Sequence, residues 1–545
     1  MVHPHPINPT MDLELSRFYK ACNPTHPLDS GNEEDRSYYV DLSAVRGARL
    51  IESMVRTIAR IAPDEATCQL FTGHIGCGKS TELLRLKYLL EQQNFHVVYF
   101  ECDRQLELSD VDVSDVLLAI VGQISASLDK QEINIFPSYF KKLFDELKDI
   151  KDIQSLLKNS VDLSKTFKLS EGIAALISQA KDSPSLRRQM HERLEARTNN
   201  IINSINEELL APAKEKLKQR GVRGLVVIVD NLDRIENRLD PKEQSRAGYL
   251  FVERGDQLRK LDCHMIYTVP LRLTFSKDRE IVRDRFGTDI KILPMVPVRF
   301  ANGSICEEGM ALLRRFVMLR AFPHAVDGST QTELISKVFE KLEILDRLCQ
   351  VTGGHVRNLL RLLSACLQQE DPPITLDLLE SIISQERSQN TKNITPEIWE
   401  LIQNVRNQKR VGGEDNYEKL IKSFLVFEYE YQNESWFDIN PLVVEDINLN
   451  EESNQSETQN IQGLEEFVDA TIVNALNQSS HQYEEYLSQR DYNKASNLAN
   501  QIYEMCNDIA ATLDPEKQGQ IYTKVAALSS YWKLSRDLYK GIALN

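Results

Sequence analysis

The chain has 545 residues, far beyond the roughly 250–300 at which a single hydrophobic core stops growing, so several domains are expected. A hydrophobic share of 41% and a charged share of 27% are those of ordinary globular chains and exclude wholesale disorder. The formal charge of −16 disfavours diffuse attraction to nucleic acid or anionic lipid.

The nine cysteines are scattered singly with no CxxC pair, which argues against a disulfide framework or a zinc ribbon. Met1 to Pro6 has neither the basic start nor the apolar stretch of a secretory signal, and no long apolar run follows. The expectation is a cytoplasmic protein without a membrane span.

Residues 1–35 read as an N-terminal extension. A short strand-like run, Gln69 to Thr72, then leads into Gly73-His74-Ile75-Gly76-Cys77-Gly78-Lys79-Ser80, and Thr81 opens an amphipathic helix. This is the pattern GxxxxGK[ST] between a strand and a helix. Its glycines let successive backbone N–H groups face phosphate oxygens, and the helix N-terminus adds its positive dipole end. Lys79 is the residue for the β- and γ-phosphates, and the Ser80 hydroxyl for Mg2+, a cation that favours oxygen ligands. The bound nucleotide is expected to be ATP or ADP.

Val97 to Cys102 reads as a second strand and Val113 to Leu128 as a helix. Leu225 to Val229 is a continuous apolar run ending in Asp230, the pattern of a strand buried on both faces of a parallel sheet. An acid at that end is a Walker B residue, so Asp230 is expected to bind Mg2+. Lys79 and Asp230 lie about 150 residues apart, more than one or two sheet crossovers need. The excess, 129–221, reads as a helical insertion with amphipathic stretches at Phe140 to Leu157 and Leu186 to Leu217. It is either a spacer or a surface for a partner or the nucleotide. The basic run Lys214, Lys216, Lys218, Arg220 and Arg223 reads as a solvated helix face.

The stretch from Tyr39 to about Val444 resembles the AAA+ branch that includes origin-recognition ATPases and STAND signalling ATPases. The likeness is carried by the phosphate loop, by Tyr39-Val40-Asp41-Leu42 with the Val45-Arg46-Gly47 turn, by Met265 to Pro270, by Asp284-Arg285-Phe286-Gly287 and by Gly353-Gly354-His355-Val356-Arg357. It implies that Tyr39 and Val40 pack on adenine, that Thr268 is a polar sensor of the γ-phosphate, and that Arg357 reaches that phosphate from a lid helix. It implies for Arg285 the finger that meets ATP on a neighbouring subunit; a surface ion pair is the competing reading, and Arg283 competes for the role. Where many such ATPases carry a glutamate after the Walker B acid this chain has Asn231, and an amide cannot act as a general base. Asp233 is the nearest alternative carboxylate, so slow hydrolysis is expected.

The resulting expectation is an α/β P-loop NTPase, AAA+-like, with its core at 36–300, a helical lid at 301–388 and a winged-helix-like domain at 389–445. Phe424 to Tyr431 and Trp436 to Val443 read as the strands of its hairpin. With Glu428, Glu430, Glu434 and Asp438 and no Lys or Arg from Phe424 to Val444, that hairpin is a poor fit to a DNA groove. Residues 446–462 read as a solvated linker, and 463–545 as a helical domain resembling tetratricopeptide repeats, one unit around Tyr483 to Pro515 and a weaker copy from Ile521 to Leu544. A protein partner is expected on this tail.

Two functions are open. One is a STAND-type molecular switch that changes domain arrangement or oligomeric state, including homo-oligomers, on nucleotide exchange. The other is a DNA-binding or DNA-loading ATPase resembling origin-recognition proteins, and it rests on architecture alone. The ten histidines form no HExxH motif, which leaves metal-hydrolase chemistry without support.

Overall fold

Five short apolar runs become five parallel strands in the computed structural model of the protein: β1 Cys68–Gly73, β2 Phe95–Glu101, β3 Gly224–Asp230, β4 His264–Thr268 and β5 Ile290–Leu293. The structure describes residues 13–46, 49–135, 137–147, 168–235, 245–323, 331–392, 394–444, 478–479, 482–483, 486 and 492–512. The chain divides into two compact units, Met1–Val443 and Val444–Asn545.

The strand order is β2-β3-β4-β1-β5. Because all pairs are parallel, the C-terminal ends of the strands share one edge, where Gly73, Glu101, Asp230 and Thr268 gather. Asp230 pairs in register with Glu101, and β4 separates it from β1, so the acid faces the phosphate loop across one intervening strand. This edge is where open α/β sheets bind ligands.

Alternate residues of β3 serve opposite faces, as a strand period of two demands. Leu225, Val227 and Val229 join a core formed with the helix Val113–Lys130 and the helices of the insertion. Val226 and Ile228 join a second core with the helix Leu50–Arg56 and with Leu83, Leu86 and Leu90 of the helix Lys79–Glu91. The insertion contributes helices Ser138–Leu147, Leu169–Asp182, Pro184–Leu194 and Ala211–Gln219. Its expected stretch 148–157 and the residues up to 167 lie outside the described residues, as does Gly47 of the expected turn at 45–47.

Helices Glu307–Ala321, Leu342–Val351, Val356–Gln369 and Leu376–Thr391 form a third core with Phe18, Val40 and Leu42 from the N-terminal region. Helix Pro396–Gln408 then precedes a two-stranded antiparallel hairpin, β6 Val426–Tyr431 and β7 Glu434–Ile439. Gln432 and Asn433, both at positive φ (50° and 69°), make its two-residue turn, the backbone that matches strand twist in tight hairpins. The expected second strand is cut short: Pro441–Val444 is helical, because the Asn440 side chain accepts the Leu442 N–H and Pro441 fits the first helical turn.

In the C-terminal unit the helix Tyr492–Thr512 buries Leu498, Ile502, Cys506 and Ile509 along one face. The expected linker 446–462 and the second repeat at 521–544 lie outside the described residues. Among the described residues no helix is long and apolar enough to cross a membrane.

Candidate functional site

A cleft of about 770 Å3 opens over the C-terminal edge of the sheet. Ile75 to Glu82 form its floor, Tyr39 and Val40 one wall, and Val356, Arg357 and Arg361 another. The size is that of ordinary small-ligand pockets.

The phosphate loop runs from β1 into the helix Lys79–Glu91, with Gly78 in the left-handed region at its cap. Lys79 is buried and its Nζ donates to the carbonyls of Gly73 (2.8 Å) and His74 (3.0 Å). The same ammonium lies 3.0 Å from an Asp233 carboxylate oxygen, both side chains being nearly enclosed. Burial is the largest single influence on Lys79 and opposes its charge, but Asp233, Cys77 and Asp230 together hold it above the ordinary lysine value. The ammonium thus stays charged although it is buried. The second oxygen of Asp233, Oδ1, is buried with no hydrogen-bond partner among the described residues.

Asp230 sits under the loop. The hydroxyls of Ser80 and Tyr99 hydrogen-bond to its carboxylate, the latter at 2.7 Å, and the Asn231 N–H donates at 2.7 Å. Burial and the neighbouring Asp233 nevertheless raise its pKa. Two crowded carboxylates, an adjacent hydroxyl and one orphaned oxygen are a donor set that a hard divalent cation bridging to phosphate would satisfy. Ser80 and Asp230 are the residues that would hold Mg2+, whose charge would neutralise phosphate oxygens.

Asn231 occupies a left-handed conformation (φ 61°) that asparagine tolerates, and its Nδ2 donates to Asp103 at 2.9 Å. Arg234 pairs with the other oxygen of Asp103 at 2.5 Å. Thr268 is turned away from the cleft: its hydroxyl accepts the Leu232 N–H (2.9 Å) and donates to Val229 O (3.3 Å), pinning the turn that follows Asp230. Arg285 is also remote from the cleft of its own chain, in the helix Arg279–Phe286, where it pairs with Asp256 at 2.6 Å; Arg283 pairs with Glu280.

Lid and hairpin meet the phosphate loop directly. His355 caps the helix Val356–Gln369 by accepting the Asn358 N–H at Nδ1 (3.0 Å), so its Nε2 carries the proton and donates to Ile75 O (2.9 Å). The Arg357 N–H donates to Gly76 O at 3.2 Å. Gly76, at φ 88°, permits this: a Cβ there would stand 2.8 Å from His355 Cε1 and 2.9 Å from Arg357 Cβ. On the other side, His74 Nε2 accepts the Glu428 N–H of β6 at 3.0 Å, which places the His74 proton on Nδ1. The Phe427 ring stacks on His355 (centroids 5.4 Å, 12°) and meets His74 edge-on. Burial depresses both histidines, His74 to about 3 with His355 and Lys79 adding to it, and His355 to about 4 with Arg357, Arg361 and Lys79 acting against its bond to Ile75; both are neutral in this packing.

Arg357 makes no ion pair within the described residues; burial and Arg234 lower its pKa. A guanidinium on this cleft without an ion pair of its own suits a polyphosphate. Tyr39 donates its hydroxyl to Glu82 (3.2 Å), and Thr81 Oγ1 accepts the Leu28 N–H (3.2 Å), which lays the N-terminal stretch over the loop helix. Sequence reasoning missed Tyr99, Asp103, Arg234 and Arg320 as site residues. For Asp103 a signal existed, since it lies just past the C-terminal end of a parallel strand.

A five-stranded parallel sheet with a glycine-rich loop and buried lysine after β1 and an acid ending β3 is a P-loop NTPase domain. Residues 48–239 match the KAP family P-loop domain. No curated protein matches the chain in sequence. Among solved structures, the chain is similar to Drosophila ORC bound to DNA (12% identity, 75% of this chain and 78% of that one, TM-score 0.33). It is similar also to Cdc6p from Pyrobaculum aerophilum (12%, 78% and 94%, TM-score 0.32). A third is the ORC2 protein of Aeropyrum pernix in ADPNP–ADP complexes (12%, 78% and 99%, TM-score 0.33).

Proposed function

We propose that the protein is an ATP-binding switch in which the nucleotide sets the arrangement of phosphate loop, lid and hairpin. One observation carries this reading. Three successive loop residues, His74, Ile75 and Gly76, hydrogen-bond to Glu428, His355 and Arg357, groups 280 or more residues away in sequence. A loop that closes around phosphates cannot shift without moving its partners in both elements.

Asp233 supplies an anion to Lys79, and the phosphates of ATP would replace it. Arg357, unpaired beside the loop, would bind the γ-phosphate in one lid position and lose it after hydrolysis. That difference in contact is the free energy by which a ligand shifts a conformational equilibrium. Asn231 is a poor general base and is already bonded to Asp103, which supports slow turnover with Asp233 as the proton acceptor. Tyr39 and Val40 would pack on the adenine. The C-terminal unit is the proposed protein-binding surface. The acidic hairpin, with Glu428, Glu430, Glu434 and Asp438, supports a nucleotide-responsive role over a nucleic-acid one.

The test compares wild type with Arg357→Ala, measuring ATP affinity by calorimetry and the conformational change by small-angle scattering with ATP, ADP and no nucleotide. The variant is expected to bind ATP but to lose most of the change. An R357A protein that binds ATP and changes fully would remove the mechanism.

A further inference from the structure

We propose that Arg320 reads the nucleobase, donating a hydrogen bond to a ring nitrogen of adenine at the end of the cleft remote from Lys79. The inference rests on the reading that this cleft binds a nucleoside triphosphate.

Position is the first argument. Arg320 lies in the helix Glu307–Ala321 and lines the cleft with Phe316 one turn earlier, together with the N-terminal stretch Pro24 to Leu28. It also borders a neighbouring cavity of about 420 Å3 that no phosphate-loop residue touches. Arg320 therefore stands where the two spaces adjoin, at the end that a base would occupy once the phosphates lie on the loop.

Its electrostatic state is the second. Of the other arginines around the cleft, Arg104 with Glu101, Arg234 with Asp103 and Arg361 with Glu386 are ion pairs; Arg46, also buried with its Nε unpartnered, donates to Cys77 O of the phosphate loop, and the Arg357 N–H donates to Gly76 O there, so both belong to the phosphate end. Arg320 is only 3% exposed, forms no ion pair within the described residues, and its Nε has no hydrogen-bond partner. Its one hydrogen bond among the described residues is from Nη1 to the Tyr38 carbonyl at 3.1 Å. Burial outweighs the nearby Cys22, Tyr38 and Asp35 and lowers its pKa to about 10, still charged at neutral pH. A buried guanidinium with spare donors gains from any acceptor brought to it.

Rigidity is the third. The guanidinium carbon lies 4.5 Å from the centre of the Phe316 ring and 5.5 Å from that of Tyr38, so two aromatic faces and a carbonyl hold the fork in place. A preorganised donor of this kind loses little freedom on binding and discriminates by geometry.

The experiment titrates ATP and inorganic tripolyphosphate into full-length wild type, Arg320→Met and Arg320→Lys by calorimetry. R320M is expected to weaken ATP by roughly 10- to 100-fold, the size of one charge-assisted hydrogen bond, while tripolyphosphate binds as to wild type and shows that the site is folded. R320K, which keeps the charge without the planar fork, should lose most of the same affinity. Unchanged ATP affinity in R320M, or parallel losses of ATP and tripolyphosphate, would overturn the assignment. A second arm needs no mutation: wild type is titrated with the 1-, 3- and 7-deaza analogues of ATP, at least one of which should bind about 10-fold or more weakly. Equal binding of all three would refute contact with a ring nitrogen. Wild type that binds neither ATP nor tripolyphosphate would instead remove the nucleotide reading, and this assignment with it.

Discussion

Replacing Glu428 by glutamine removes the titration of a carboxyl group on the hairpin strand whose backbone N–H bonds to His74 of the phosphate loop. The residue as a whole is only partly covered, yet its Oε2 is enclosed and has no hydrogen-bond partner among the described residues. Burial, and then the charge of Glu430, push its pKa up to about 7 from an ordinary 4.5, against an opposing contribution from Arg279. A folded-state pKa above the unfolded one means that the protonated form favours folding. That stability is fully present below about pH 4.5 and is lost as pH rises through 7. A gap of about 2.5 pH units at ~1.36 kcal/mol each bounds the loss at about 3.4 kcal/mol, and partial solvent access reduces it to about 1–3. Spread over Met1–Val443 at ~2.1 cal/mol/K per residue, this corresponds to about 1–3 °C in Tm. Thermal denaturation of wild type and E428Q from pH 5 to 8.5 should show curves that nearly coincide at pH 5 and separate with rising pH, the glutamine protein melting higher at pH 8.5. A gap that stays constant with pH, or that favours wild type at pH 8.5, would refute the reasoning. His74 and His355 are present in both proteins and cancel in the difference.

Asp233→Asn strands the buried Lys79 ammonium and is expected to lower the stability of the nucleotide-free protein by about 3–5 kcal/mol. ATP should then produce a larger rise in Tm than in wild type, and hydrolysis should fall by roughly 100-fold or more. Undiminished stability without nucleotide would show that the Lys79–Asp233 pair does not form. Arg285→Ala should leave ATP affinity unaltered, since the residue pairs with Asp256 away from its own cleft. If Arg285 serves a neighbouring subunit, wild-type hydrolysis per chain rises with protein concentration and the variant loses on the order of 1,000-fold at high concentration. A rate independent of concentration in wild type removes that role.

Much of the P-loop architecture was legible because its signals are local. Gly73 to Ser80 encode a turn, a phosphate cradle and a helix start within eight residues, and Leu225 to Asp230 encode a doubly buried strand by composition alone. The hairpin at Val426–Tyr431 and Glu434–Ile439 was legible from its β-rich runs around a polar turn, but not its end, where the Asn440 cap and Pro441 override a strand-like Leu442-Val443-Val444. The Thr268 hydroxyl, read as a sensor, bonds to backbone groups of Val229 and Leu232, a choice that depends on β4 lying beside β3. Asp103 and Tyr99 escaped notice because their partners, Asn231 and Asp230, are about 130 residues away.

By itself the sequence determined the class of domain: a glycine-rich loop followed by Lys79 and Ser80 has one chemical use, and backbone conformation within it follows from neighbouring residues. Tertiary structure alone decided how the loop is wired. Whether His74 accepts from Glu428, whether Lys79 rests on Asp233, and whether Arg320 is left unpaired depend on which distant groups share a buried, low-dielectric space. Hydrogen bonds and charges act over a few ångströms, and hundreds of residues of chain separate the partners that come within that reach.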